Sequence, residues 1–128
     1  MASMGTDTHK MYAVVAKESL DAMKGNRGKL SAQTGHAYLH AFWDAAVRFP
    51  EDAAAYQNSG LAVKITLLVP AVADLEELLA SYRDKCGVCL VTDAARTVFN
   101  GPTTTCLGIG PIALANIGDD LRSLPVLI

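Results

Sequence analysis

The chain has 128 residues, 51% of them apolar, with a net charge of −2. That is enough for one domain with a core of its own, without disulfides or a structural metal. No charge-free apolar run approaches the roughly 20 residues of a membrane span, and the negative balance argues against a nucleic-acid footprint spread over the whole surface.

The first residues, MASMGTDTHK, lack the apolar stretch of a signal peptide. Residues 1–9 read as a disordered lead-in and 10–128 as a single domain. Three cysteines, an odd number, with no secretory signal point to the reducing cytoplasm. Met11 to Ala16 is a short apolar run with β-branched residues and predicts a buried strand. The glycines of Met23-Lys24-Gly25-Asn26-Arg27-Gly28 mark a loop. A helix is expected from Lys29 to about Phe49, where Pro50 closes the run. Glu51 to Asn58 predicts a short helix stopped at Ser59-Gly60.

Leu61 to Val69 reads as the second strand, and Ala71 to Lys85, with leucines at 75, 78 and 79, as an amphipathic helix. Val88 to Val91 and Thr104 to Ile109 read as the third and fourth strands. Pro111 is expected to open a last helix reaching about Gly118, with Pro125 in a short tail. The order predicts an α/β fold, a three-layer α/β/α sandwich around a mixed four-stranded sheet.

Charge is uneven. Residues 1–48 carry a balance of +2 and residues 49–128 a balance of −4, so a local basic patch near Lys24 and Arg27 can sit on an acidic body. On the long helix Lys29, Gln33, His36 and His40 are spaced four, three and four apart, which at about 100° per residue puts them on one face. Leu30, Ala37 and Ala41 lie on one flank of that face, Leu39 and Trp43 on the other. Such a stripe lines a cleft or forms an ordinary solvent face. Lys29 lies at the helix start, where a cation is unfavourable for folding but useful for holding an anion.

Three short motifs suggest other chemistry and fail on context. The His36–His40 pair has metal-ligand spacing, but Ala37 stands where a zinc protease needs glutamate and no third ligand clusters with them. Cys86-Gly87-Val88-Cys89 leaves a helix and enters a strand, the reverse of a redox Cys-x-x-Cys, and reads as core packing. Gly108-Ile109-Gly110-Pro111-Ile112-Ala113 fits a dinucleotide pattern, but the chain ends before the second strand and acid that the pattern needs. A helix N-terminus after Gly110 would remain able to receive a phosphate.

Asp93 closes the third strand at its carboxyl end, where crevices form in α/β sheets. Arg96 and Thr97, Thr103, Thr104 and Thr105 follow. A carboxylate beside hydroxyls orients and deprotonates water, while a lysine stabilises an oxyanion. Equally, Asp93 caps a turn, Arg96 pairs with it and the threonines fill an edge strand.

Residues 10 to about 124 resemble the peptidyl-tRNA hydrolase 2 family, through KMYAVV at 10–15, KGNRGKLSAQTGH at 24–36 and DAARTVFNGPTTTCLGIGP at 93–111. The family's Gly-Lys, small-small-Gln and His fall on Gly28-Lys29, Ser31-Ala32-Gln33 and His36. The resemblance implies hydrolysis of the ester between a peptidyl group and tRNA, without a cofactor or metal, by a protein that is often a homodimer. It places catalytic candidates on Lys29, Asp93, Thr97 and Thr105, with Gln33 and His36 as supports beside the substrate. A basic rim of Lys24, Arg27 and Arg96 around Lys29 would meet the tRNA phosphates. The chain departs from the family at Ala95 for glycine, Val98 for glutamine, Gly101-Pro102 for Pro-Gly and Cys106 for valine. Those departures keep two other readings in play: a binding module for a nucleotide or protein partner that kept the fold and lost the reaction, and hydrolysis of a small-molecule ester.

Overall fold

The computed structural model describes residues 8–94 and 101–128. Strand β1 (His9–Ala16) carries the first apolar run, and β2 (Lys64–Val69) lies parallel beside it. Strand β4 (Thr103–Ala113) pairs antiparallel with the other side of β1, and β3 (Val88–Asp93) pairs antiparallel with β4. The sheet order is β2-β1-β4-β3, a mixed four-stranded sheet. Helices α1 (Lys17–Ala22), α2 (Arg27–Arg48), α3 (Pro50–Ser59), α4 (Val72–Tyr82) and α5 (Asp119–Arg122) cover it.

The alternation of side chains along β1 divides the core into two layers. Tyr12, Val14 and Ala16 join Leu75, Leu78 and Leu121 beneath α4 and α5. Ala13 and Val15 pack with Ala37 of α2, and Met11 packs with Ala41 and with Tyr56 of α3. The expected three-layer sandwich is therefore the observed one.

Local chemistry sets the helix ends. The Asn26 side chain accepts a hydrogen bond from the Lys29 amide at 2.9 Å and caps α2. Pro50 occupies the first turn of α3, and Gly60, at φ 76°, ends it. At the far end of α2, Asp44 Oδ2 accepts from the Val88 amide at 3.0 Å and from Arg48 Nη2 at 2.6 Å. The Arg48 hydrogen bonds hold the Asp44 carboxyl below the usual carboxylate range. This end of the helix is thus pinned to the start of β3.

Small residues let α2 lie directly on the β3–β4 hairpin. Ala37, Ala41 and Ala45 form its buried face. A Cβ added at Gly108 would stand 2.0 Å from the Ala37 carbonyl oxygen, and one at Gly87 2.3 Å from that of Ala41.

Several findings differ from expectation. Helix α1 had no predicted counterpart, and β2 starts at Lys64 rather than Leu61. The expected helix from Pro111 is instead the continuation of β4 to Ala113, followed by a short 3-10 turn at Leu114–Asn116. Between the pairs Lys10↔Ile112 and Tyr12↔Ile109 the register shifts, so Gly110 and Pro111 face Met11 alone. A bulge accommodates a proline that lacks an N–H, and no helix N-terminus is left there to hold a phosphate. The tail is also engaged: the Leu68 amide donates to Pro125 O and the Leu127 amide to Thr66 O, each at 2.9 Å. It covers the outer edge of β2. The expected lead-in lies largely outside the described residues, and its last residue, His9, opens β1.

Candidate active site

Cys89 and Val91 of β3 face α2, and by the two-residue period Asp93 does too. There the Asp93 carboxylate forms an ion pair with the Lys29 ammonium. Only 13% of the lysine side chain and 7% of the aspartate side chain remain exposed. Gln33, one turn along α2 from Lys29 and itself buried, donates from Nε2 to Asp93 Oδ2 at 3.2 Å. Its Oε1 accepts from the Thr105 hydroxyl at 2.8 Å. Taking two ions nearly out of water carries a desolvation penalty of several kcal/mol per ion. A pair held there by further hydrogen bonds is weak evidence for stability and better evidence for a site.

Thr105 reaches this cluster through a bulge. The ladder runs Val91↔Cys106 and then Thr92↔Thr104, which leaves Thr105 as the extra residue of β4. Bulges re-aim side chains beside active sites. Here successive residues both meet Gln33, Thr105 at the side chain and Cys106 through Sγ–H to the Gln33 carbonyl oxygen at 3.3 Å. Cys106 thereby ties β4 to the α2 backbone.

Ser19, which no sequence signal marked, donates to the Thr104 carbonyl oxygen at 2.6 Å and anchors α1 to β4 beside the bulge. A signal was present only in hindsight: a small hydroxyl residue on the buried side of a short helix.

The remaining expected residues divide. Lys24 and Arg27 are exposed on the loop and first turn leading to Lys29. His36 is exposed, its ring edge-on to His40 at 5.6 Å, and His40 stacks on Trp43 at 5.1 Å. The polar stripe on α2 therefore splits. Lys29 and Gln33 turn to the sheet in line with Ala37, Ala41 and Ala45, whereas the flank of Leu39 and Trp43 is exposed. Arg96 and Thr97 lie outside the described residues, as do Ala95 and Val98.

No group of three or more metal-ligating side chains occurs among the described residues. Cys86 and Cys89 pack on opposite faces of the sheet. Burial pushes the Cys86 thiol up to about 12 and raises that of Cys89, so neither is a poised nucleophile. Among the described residues no helix is long and apolar enough to cross a membrane.

The family model described as peptidyl-tRNA hydrolase PTH2 matches residues 9–127. The chain belongs to that family. It is 35% identical over 112 residues to "Probable peptidyl-tRNA hydrolase 2" of Drosophila melanogaster, covering 87% of this chain but 58% of the fly protein. It is 36% identical to "Peptidyl-tRNA hydrolase" of Methanopyrus kandleri, over 82% of this chain and 90% of that one. To the protein of the same name from Methanococcus maripaludis it is 30% identical, over 90% and 97%. The PTH2 match spans every strand and helix described above, and it includes Lys29, Gln33, Asp93 and Thr105.

Proposed function

We propose that the chain hydrolyses the ester joining a peptidyl, or N-blocked aminoacyl, group to the ribose of tRNA. The observation that carries this is the nearly buried Lys29–Asp93 pair with Gln33 and Thr105 behind it. The names of the PTH2 relatives agree with it.

In the proposed reaction the Asp93 carboxylate takes a proton from water as its oxygen attacks the ester carbonyl. Lys29, the cation beside it, stabilises the oxyanion that forms. Collapse breaks the bond to the ribose oxygen, which receives the proton from Asp93, leaving a free peptide acid and a tRNA hydroxyl. Gln33 and Thr105 are positioning residues that hold the carboxylate. Thr97 is assigned to orienting the water. Lys24, Arg27 and Arg96 are assigned to backbone phosphates, and His36, exposed about one turn beyond Gln33, to the tRNA end. The scheme requires no cofactor or metal. A cytoplasmic location and a homodimer belong to the same reading.

Purified protein incubated with N-acetyl-aminoacyl-tRNA is expected to release the N-acetyl amino acid. Lys29→Ala and Asp93→Asn, shown to be folded by circular dichroism, are expected to lower kcat by about 100-fold or more. Equal turnover in the wild type and both variants would remove the site. Raising salt from 50 to 200 mM is expected to raise KM steeply, as counterion release requires for a phosphate-contacting protein. A flat response would favour a small ester.

A further inference from the structure

At the other end of the sheet from Asp93, α2, α3 and the first residues of β1 and β2 line an open pocket of about 430 Å³. Met11 lies in it, and Tyr38, Leu39 and Phe42 of α2 form an apolar wall. Tyr56 of α3 and the exposed Lys64 of β2 border the opposite side. The volume lies at the low end of the range for small-molecule sites, and apolar walls with a few convergent polar groups are their usual composition.

The polar groups converge on one cation. Lys64 Nζ donates to the Tyr56 hydroxyl at 3.2 Å and to the Ala62 carbonyl at 3.1 Å, and lies 5.6 Å from the Tyr56 ring centre. An ammonium has three donors, so one remains. Among the described residues no carboxylate forms an ion pair with Lys64. The Tyr56 hydroxyl hydrogen is used on Val63 O, at 3.2 Å.

Gly35 shapes the same wall. It sits inside α2, where glycine weakens a helix relative to alanine. The glycines at 87, 108 and 118 would each drive a Cβ closer than 3.0 Å to a neighbour, and those at 25, 60 and 110 have positive φ. A Cβ at Gly28 would make one ordinary contact, and at Gly101 and the exposed Gly35 it would meet nothing within 4 Å; of these three only Gly35 lines the pocket. The bare backbone there leaves the groove open, with room for the body of a ligand beside Phe42.

We propose that this pocket binds a small carboxylic acid with an aromatic or branched apolar body, its carboxylate on Lys64 and its body against Phe42 and the open space at Gly35. One ammonium matches a single negative charge better than a phosphate dianion. The modest volume suits a free acid rather than a polypeptide. This assignment does not depend on the hydrolytic reading above.

The full chain, labelled with nitrogen-15, is titrated with 3-phenylpropionate, its neutral amide and acetate. Saturable shifts at the amides of Gly35, Tyr38 and Lys64 are expected with the acid, and at least tenfold weaker binding with the amide and with acetate. Lys64→Gln is expected to weaken the acid at least tenfold. Gly35→Leu, whose side chain has room to fold into the pocket, is expected to abolish saturation. No saturable shift in the wild type, equal affinity for acid and amide, unchanged affinity in Lys64→Gln, or shifts clustered at Asp93 would each overturn the proposal. So would a dimer by light scattering that Gly35→Leu converts to monomer without any response to the acid, because a second copy would then be the occupant.

Discussion

A glutamine amide has a donor end and an acceptor end, and Gln33 uses both: Nε2 on Asp93 and Oε1 under Thr105. Replacing it with leucine would leave the buried Thr105 hydroxyl only its longer bond to the Val91 carbonyl oxygen, at 3.4 Å, as a backbone partner and remove one hydrogen bond from the carboxylate. Gln33→Leu is expected to lower stability by about 1–3 kcal/mol and to reduce kcat more than KM, measured by urea unfolding and turnover. Thr105→Val should act in the same direction and Thr105→Ser should restore most of the loss. In a double-mutant cycle the two positions should couple, since they share one network. Strict additivity would show that the threonine does not act through the amide. Lys29, Gln33 and Asp93 were legible in the sequence as residue types at telling spacings. The route by which Thr105 joins them was not, because a β-bulge leaves no mark in composition or periodicity, and a two-residue alternation turns Thr105 away from Cys106.

Helix α2 and the β3–β4 hairpin meet at backbone distance because Gly87 and Gly108 lack side chains. Gly108→Ala is expected to destabilise by about 1–3 kcal/mol through overpacking and to lower turnover beyond the effect on stability, by lifting α2 and with it Lys29 away from β3. Thermal unfolding and kcat at a temperature where the variant stays folded would check both parts. Full activity in a destabilised variant would show that the cluster tolerates the displacement. Long elements were legible: α2, α4 and all four strands follow from apolar patterning, glycine and proline. Helix α1 spans six residues, too few for a 3.6-residue period to register. Pro111 misled for a physical reason, since a proline's missing N–H suits a helix start and a bulge equally. The α2 stripe was read as one face, but the sheet selects the lysine–glutamine–alanine line and leaves His36 and His40 outside.

Taken whole, the molecule protects several groups whose protons the unfolded chain would lose sooner. Burial pushes the Cys86 and Cys106 thiols from the ordinary 9.0 up to about 12, and the Tyr56 and Tyr82 hydroxyls from 10.0 up to about 12. Their contribution to stability is fully present below pH 9 and is lost between pH 9 and 12, because there the unfolded state binds fewer protons than the folded one. Each group deprotonated only on unfolding adds up to about 1.4 kcal/mol per pH unit to the slope. Urea midpoints are therefore expected to hold steady to pH 8.5 and drop sharply by pH 10.5, less so in a Cys86→Ala, Cys106→Val double variant. A midpoint independent of pH across that range would contradict the burial of these groups. At this scale the mixed sheet and its layers were legible from element order and the family motifs, while the tail that covers β2 was not, since its pairing rests on main-chain groups that every sequence shares. The glycine contact also divides the chain into unequal halves. The spacing between ammonium and carboxylate is written into two crossing main chains, so the layer of α4 and α5 serves as ballast. A library randomising the solvent-facing positions of α4 should yield many turnover-competent members, whereas one randomising Ala37, Ala41, Gly87 and Gly108 should yield almost none.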